Sequence, residues 1–223
     1  IPMLMLSSIL TFLTFPFIYL CEKAFSLVSD FSLLEYSDTN TELLRKLAKD
    51  APGTFHHSLQ VSHLSESVAI EIGANPLLVR AGALYHDIGK LNNPNFFIEN
   101  QSLGSNPHDD LSFDESAKLI INHVIDGIEL AKKHNLPDQL IDFIRTHHGD
   151  SLMQYFYKEY LKNFPENVND ENFRYPGPKP YNKETAILMM CDSVEAASRS
   201  LKKIDSNSIN ELVDRVISSQ FKQ

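Results

Sequence analysis

The sequence predicts an all-α protein, and three observations carry that prediction. Apolar residues recur at steps of three and four along most of the chain, which is the period of a helix face. No segment shows the period-two alternation of a half-buried strand. Helix-start signals are frequent: Asn75-Pro76 pairs a capping side chain with a proline at the first helical position, and Ser112-Phe113-Asp114-Glu115 and Ser208-Ile209-Asn210-Glu211 match capping boxes. There are no internal repeats and no low-complexity tracts.

The elements follow in order. Residues 1–21 carry no charge. At about 1.5 Å per residue such a helix spans roughly 30 Å, the thickness of a bilayer core, so it reads as the end of a transmembrane region. Ser7, Ser8, Thr11, Thr14 and Pro16 keep a second reading open, an apolar helix packed on the domain or on a partner. No basic segment marks a signal peptide, and Glu22, Lys23 and Asp30 give no clear excess of positive charge beyond the helix. Residues 22–40 read as a connector helix and linker, with Phe25, Val28, Phe31 and Leu34 at helical spacing and a break at residues 37–40. Residues 41–223 form the main domain.

Within it, residues 41–49 are helical, Pro52-Gly53 is punctuation, and Thr54 is the expected N-cap of a helix that runs to Gly73. His57, Val61, Leu64, Val68 and Ile72 form its expected inward stripe, while His56 and His63 point elsewhere. The helix opened by Asn75-Pro76 carries Leu78, Ala81, Leu84 and Tyr85 and ends at His86-Asp87, with Gly89 as its stop. Residues 92–111, with Pro94, Gly104 and Pro107, form an irregular loop. Ser112 opens one long helix to residue 133, burying Ala117, Ile120, Ile121, Val124 and Ile128 beside His123. Pro137 opens the next, with Leu140, Ile144 and His147 on one stripe and His148 adjacent. Residues 152–164 are helical and aromatic, 166–181 form a loop, and 185–201 are helical with Leu188, Asp192 and Ala196 in line. A last helix follows Ser208.

Bulk properties restrict the partners. The formal charge of −9 argues against long nucleic acid, whose binding needs many phosphates neutralised by Lys and Arg. It permits a small nucleotide held by metal ions, which supply local positive charge. Cys21 and Cys191 form no spacing pattern, consistent with a reduced, cytoplasmic setting.

The chemistry lies in seven residues, His57, His86, Asp87, His123, His147, His148 and Asp192. The five imidazoles sit on, or at the ends of, otherwise apolar helical stripes, and Asp192 lies within the apolar run from Ile187 to Cys191. An unpaired carboxylate there would be costly to bury, and metal ions remove that cost. Seven ligands exceed the needs of one four-coordinate ion and suit two octahedral ions sharing a bridging carboxylate. Nitrogen and oxygen donors without thiolate favour Mn or Fe over structural Zn, so the expected cofactor is a pair of divalent transition-metal ions. Lys90 suits a phosphate contact, with a helix-end cation as the alternative. Arg174 lies in an aromatic and proline-rich loop and is a candidate for lining a substrate, as is Tyr157 for stacking on a base; Tyr155 and Tyr175 compete for that part.

The run Tyr85-His86-Asp87-Ile88-Gly89-Lys90, with its outlying His and Asp residues, resembles the HD-domain phosphohydrolase superfamily. The added His123, His147 and His148 resemble its binuclear branches. Asn106-Pro107-His108-Asp109, the segment His147-His148-Gly149 leading to Tyr155-Phe156-Tyr157, and the run from Phe173 to Pro180 resemble the membrane-anchored cyclic di-AMP phosphodiesterases of the PgpH type. The resemblance covers roughly residues 41–203. Asp150 stands where that pattern has Thr, at a position that is not a ligand. The Gly-Tyr-Pro of the related cyclic di-GMP enzymes is absent; Gly149-Asp150-Ser151-Leu152 stands there instead.

The resemblance implies that His57, His86, Asp87 and Asp192 hold one ion and that Asp87, His123, His147 and His148 hold the other. It implies hydrolysis of cyclic di-AMP to linear pApA at a cell membrane, with the domain on the cytoplasmic side and Asp87 and Lys90 as catalytic candidates. A homodimer is compatible with it. The alternatives are an HD hydrolase of cyclic di-GMP, (p)ppGpp or a nucleoside triphosphate, or a non-catalytic membrane-tethered nucleotide sensor.

Overall fold

The computed structural model describes residues 2–101 and 106–220 and is helical throughout, with no strand among the described residues and one isolated antiparallel bridge, Leu152 to Arg174. The expected Gly104 lies outside the described residues, as do residues 1 and 221–223. The α-helices are α1 (Pro2–Phe25), α2 (Asp30–Tyr36), α3 (Glu42–Asp50), α4 (Pro52–Ile72), α5 (Pro76–Tyr85), α6 (Phe113–Ile121), α7 (His123–Lys133), α8 (Asp138–Thr146), α9 (Gln154–Asn163), α10 (Lys183–Ser198) and α11 (Ser206–Gln220). Short 3-10 turns occupy Ile88–Asn92, Pro94–Phe96, Ile98–Asn100, Pro107–Asp110 and Glu171–Phe173.

Helix α5 is the hub, and Arg80, paired with Glu66, is its one charged residue. Val79, Ala81, Gly82, Ala83, Leu84 and Tyr85 are all buried, and α4, α8, α2 and α10 surround it. A short helix that is apolar over most of its circumference is stable only when other helices cover it. On one side, Leu84, Tyr85 and Ile88 join Leu33, Leu44, Leu47, Leu140 and Ile144. On the other, Val79 and Ala83 meet Val61, Phe143, Ile187 and Leu188. Each such aliphatic side chain contributes about 1.5–3 kcal/mol on burial. The Asn75 side chain caps α5 by accepting from the Leu78 N–H, with Pro76 at the first helical position, as the sequence predicts.

Several expectations are corrected. The apolar helix does not end at Cys21 but continues to Phe25. The connector is then broken at Ser26, whose φ is +50°, and only Asp30–Tyr36 is helical. Leu33 is part of the core, so α2 belongs to the domain rather than to a linker. Helix α4 starts at Pro52, and Thr54 is buried inside it with its hydroxyl donating to Glu99 Oε1. The inward face of α4 is Thr54, His57, Ser58, Val61, Ser62, Ser65 and Ala69, whereas Leu64 and Ile72 are exposed. Small side chains let α4 approach α5 and α10 closely, and that face wins over the larger apolar residues. The expected single helix from Ser112 is two, broken at Asn122, so that His123 opens α7. Its N-terminal capping box is present. The last helix starts at Ser206, and Asp205 accepts from the Ser208 N–H and hydroxyl in place of a Ser208 cap.

Helix α1 is long and apolar enough to cross a membrane. Its large side chains stand clear of the domain: Met3 is 86% and Phe12 83% exposed. Its polar residues do not contradict an apolar setting. The hydroxyls of Ser7, Ser8, Thr11 and Thr14 each donate to the carbonyl three or four residues back.

Gly89 is not a helix stop. It lies within the 3-10 turn after α5, and a Cβ there would collide with the His123 carbonyl and the Gly127 backbone. Backbone cannot swing aside as a side chain can. Gly89→Ala is expected to lower stability by at least about 1–3 kcal/mol, the usual cost of overpacking, measured by urea unfolding of the metal-free chain.

Candidate metal centre

Three histidines owe their aim to helix ends. His86 caps α5, His123 follows the end of α6, and His147 caps α8. The last carbonyls of a helix lack internal partners. Each imidazole uses one: His86 Nδ1–H donates to Ala83 O at 2.7 Å, His123 Nδ1–H to Ile120 O at 2.6 Å and His147 Nδ1–H to Ile144 O at 2.8 Å. With Nδ1 protonated, Nε2 carries a lone pair, and in all three it faces the same interior point. His57, from the middle of α4, has its Nδ1 proton held by another route, since Nδ1–H donates to Glu195 Oε2 at 2.6 Å.

At the centre lies Asp87, buried, with its two oxygens facing different imidazoles. Oδ1 is 3.3 Å from His123 Nε2 and 3.6 Å from His147 Nε2. Oδ2 is 3.3 Å from His86 Nε2 and 3.5 Å from His57 Nε2. Asp192 Oδ1, from α10, adds to the second set at 3.0 Å from His57 Nε2 and 3.8 Å from His86 Nε2. His148 completes the first, its ring 4.0 Å from that of His147. The potential ligand atoms of His123, His147 and His148 lie within 4.8 Å of one another, as do those of His57, His86 and Asp87.

These residues fit metal ions. His86 Nε2 and Asp87 Oδ1 are buried with no hydrogen-bond partner. His123 Nε2 and His147 Nε2 face each other at 3.2 Å, both as lone pairs. An ion about 2.1 Å from each of two adjacent nitrogens holds them about 3 Å apart. Four carboxylates, Asp87, Asp192, Glu99 and Glu195, stand against the cations Lys90 and Arg199, so negative charge is in surplus when the imidazoles are neutral.

Electrostatics separate the two sets. Burial pushes His148 down to about 3, assisted by the neighbouring His123, and burial with the nearby His148 and His86 holds His147 well below the usual range. His57 goes the other way. Burial opposes its charge, but hydrogen bonds to Asp192 and Glu195 override it and raise it to about 10. Asp87 and Asp192 stay ionised despite burial, the first held mainly by the Lys90 charge and the second by the His57 hydrogen bond.

Beside the centre opens a cavity of about 580 Å³, lined by His57, Asp87, Lys90, Glu99, His148, Asp192 and Arg199 among others. Lys90 Nζ lies 2.7 Å from Asp87 Oδ2 and 2.8 Å from Glu99 Oε1. Thus the seven expected ligands and Lys90 come together, and two other candidates do not. Arg174 is exposed, paired with Asp170 at 2.6 Å and donating to Asp150 O. The Tyr157 hydroxyl donates to Val168 O and its ring packs on Phe173 in a satellite cluster beside α6. Of the candidate tyrosines, Tyr175 is the one whose ring reaches the centre, 4.1 Å from His148 between ring centres. His56 is exposed, and His108 donates to Phe96 O. Glu99, Glu195 and Arg199 were missed by sequence reasoning. For Glu195 and Arg199 a signal exists, since they follow Asp192 at helical steps of three and four.

The buried imidazoles and carboxylates of this helical domain converge in two sets, each of which could hold a metal ion. The HD domain family matches residues 54–197, and the chain belongs to that family. It is 44% identical over 215 residues to the cyclic-di-AMP phosphodiesterase PgpH of Bacillus subtilis, covering 96% of this chain and 30% of that protein. With PgpH of Listeria monocytogenes it shares 44% over 202 residues, 91% of this chain and 28% of that one. The chain therefore spans about a third or less of the length of these curated relatives. Among solved structures, the L. monocytogenes PgpH HD domain in complex with cyclic-di-AMP matches with a TM-score of 0.79 and 45% identity, over 82% of this chain and 86% of that one.

The shifts predict the pH response of the metal-free chain. His148 has its ordinary 6.5 when unfolded and about 3 when folded, so its stabilising contribution is intact above 6.5 and is lost as pH falls towards 3. His57 rises from 6.5 to about 10, so its contribution is complete below 6.5 and is lost as pH rises through 10. Thermal unfolding after chelation is expected to peak near pH 6.5. A melting temperature that climbs steadily from pH 6.5 to 9 would contradict the His57 environment.

Proposed function

We propose that this domain hydrolyses one phosphodiester of cyclic di-AMP to linear pApA, with two divalent transition-metal ions, Mn or Fe, as cofactors. One observation carries the metal part of the reading: the two oxygens of Asp87 are divided between two imidazole sets. His57, His86, Asp87 and Asp192 would hold one ion, and Asp87, His123, His147 and His148 the other. Bound there, a metal pair supplies an activated water at neutral pH and neutralises charge on the phosphoryl oxygens. The substrate part is supported by the similarity to the PgpH enzymes and to the PgpH HD domain solved with cyclic-di-AMP.

The chain's own groups would do the rest. In the hydrolysis, water oxygen bonds to phosphorus and the P–O3′ bond breaks, leaving a 5′-phosphate and a 3′-hydroxyl. The Lys90 ammonium has three donors and uses two on Asp87 and Glu99, which leaves one for a phosphate oxygen in the cavity. Tyr175 packs on His148 and keeps that imidazole facing His123 and His147. We further propose that α1 lies in a membrane with the domain on its cytoplasmic side. Exposed apolar side chains and internally bonded hydroxyls support the insertion.

Elemental analysis of protein purified without chelator is expected to approach two Mn or Fe per chain. Asp87→Ala is expected to empty both positions and abolish turnover, while His148→Ala weakens one. Near-normal activity in Asp87→Ala would remove the ligand assignment.

Purified protein is expected to convert cyclic di-AMP to pApA faster than it cleaves cyclic di-GMP, read by product chromatography. Lys90→Ala is expected to keep its metal and lose most activity. Equal or faster turnover of cyclic di-GMP would overturn the adenine preference and leave the hydrolase.

A further inference from the structure

Three of the ligand imidazoles with a resolved Nδ1 partner rest on backbone carbonyls of their own helix ends, and His57 alone does not. It sits mid-helix on α4, where every nearby carbonyl is already used in the helix ladder. Its Nδ1 partner comes from α10, Glu195 Oε2 at 2.6 Å. Glu195 is itself held. The Arg199 guanidinium, one turn further along α10, donates from its terminal nitrogen to both Glu195 oxygens at 2.8 Å and from Nε to Oε1 at 3.0 Å. That same terminal nitrogen stands 3.0 Å from His57 Nδ1. An ionised carboxylate only accepts, so the shorter contact to Glu195 places a proton on Nδ1, the Arg199 nitrogen spends its donors on the two Glu195 oxygens rather than on the ring, and Nε2 is left for the centre. Asp192, which shares that centre, lies on α10 one turn before Glu195.

We propose that Glu195, clamped by Arg199, is the positioning residue that makes His57 a metal ligand, so that the position formed by His57, His86 and Asp192 depends on a carboxylate outside the ligand set. This rests on the two-ion reading above. A carboxylate behind a ligating imidazole fixes the tautomer and raises its basicity, and its loss typically costs about 10–100-fold in metal affinity. The other position, built on His123, His147 and His148, has no such dependence, because two of its imidazoles take their tautomer from backbone that no side-chain substitution removes. The two positions are therefore unequal in a way that one substitution reveals.

The test is competitive Mn²⁺ titration of the chelator-stripped full chain, with bound metal counted by electron paramagnetic resonance. Wild type, Glu195→Ala, Glu195→Gln and Arg199→Met are compared, and circular dichroism melts of the metal-free forms report folding. Wild type is expected to bind two ions. Glu195→Ala is expected to weaken one of them by about 10–100-fold and to leave the other unchanged. Glu195→Gln, which still accepts from Nδ1–H without charge, is expected to fall between, and Arg199→Met to show a smaller loss of the same ion. Unchanged affinities in folded Glu195→Ala overturn the proposal, and so does equal weakening of both ions. A single ion in wild type overturns the two-ion reading instead. The proposal is then judged on that ion alone, its weakening in Glu195→Ala supporting Glu195 and its constancy refuting it. If Glu195→Ala does not fold, the isosteric Glu195→Gln decides by the same criterion.

Discussion

A carboxylate cannot be buried alone, and the organisation of this domain follows from burying Asp87. Removing such an ion from water costs several kcal/mol after relaxation, and the cost is recovered only by close, well-aimed partners. Lys90 is one, drawn down to the oxygen that also faces His57 and His86. Four Nε2 atoms surround the two oxygens. To deliver Asp87 to the middle of the molecule, α5 has to run through the core, which accounts for its run of buried residues from Ala81 to Tyr85. To let α7 bring His123 against it, the turn after α5 has to come within backbone contact, which accounts for Gly89.

The surrounding charges refine that arrangement. The same burial that keeps His147 and His148 neutral and ready to ligate would starve His57 of its proton, yet Asp192 and Glu195 reverse the balance there. Binding of a cation at His57 therefore displaces a proton, whereas binding at His148 does not.

Much of this was legible in the sequence, and the failures have physical reasons. The convergence of the seven candidate residues was visible because polar residues at helix ends and on apolar stripes are costly without a partner, and the His-Asp pair marks the meeting point. The start of helix α5 was legible to the residue from Asn75-Pro76, whereas its stop was not Gly89. The face of α4 was misjudged because periodicity rewards large apolar residues, while close helix approach selects serine and alanine; Leu64 lost to Ser62 and Ser65. The break at Asn122 had no breaker residue to announce it, since the apolar spacing continues unbroken across it from Ile121 to Val124. Glu99 comes from a 3-10 turn with no period to read, so only the folded chain shows that it shares Lys90 with Asp87. The chemistry of Arg174 and Tyr157 suits a substrate contact, but their partners, Asp170 and Val168, lie in the same loop and hold them away from the centre.

Helix ends that aim His86 and His147 have a second effect, which belongs to the backbone rather than to any side chain. Helices α5 and α8 both terminate at the centre, and a helix C-terminus carries the equivalent of roughly half a negative elementary charge. The peptide dipoles of two helices thus add to the field of the carboxylates at the point where cations would sit. This part of the attraction survives replacement of any one ligand. It is written in the direction the chain runs, so that substitution of a single imidazole would leave behind a damaged but still cation-seeking pit.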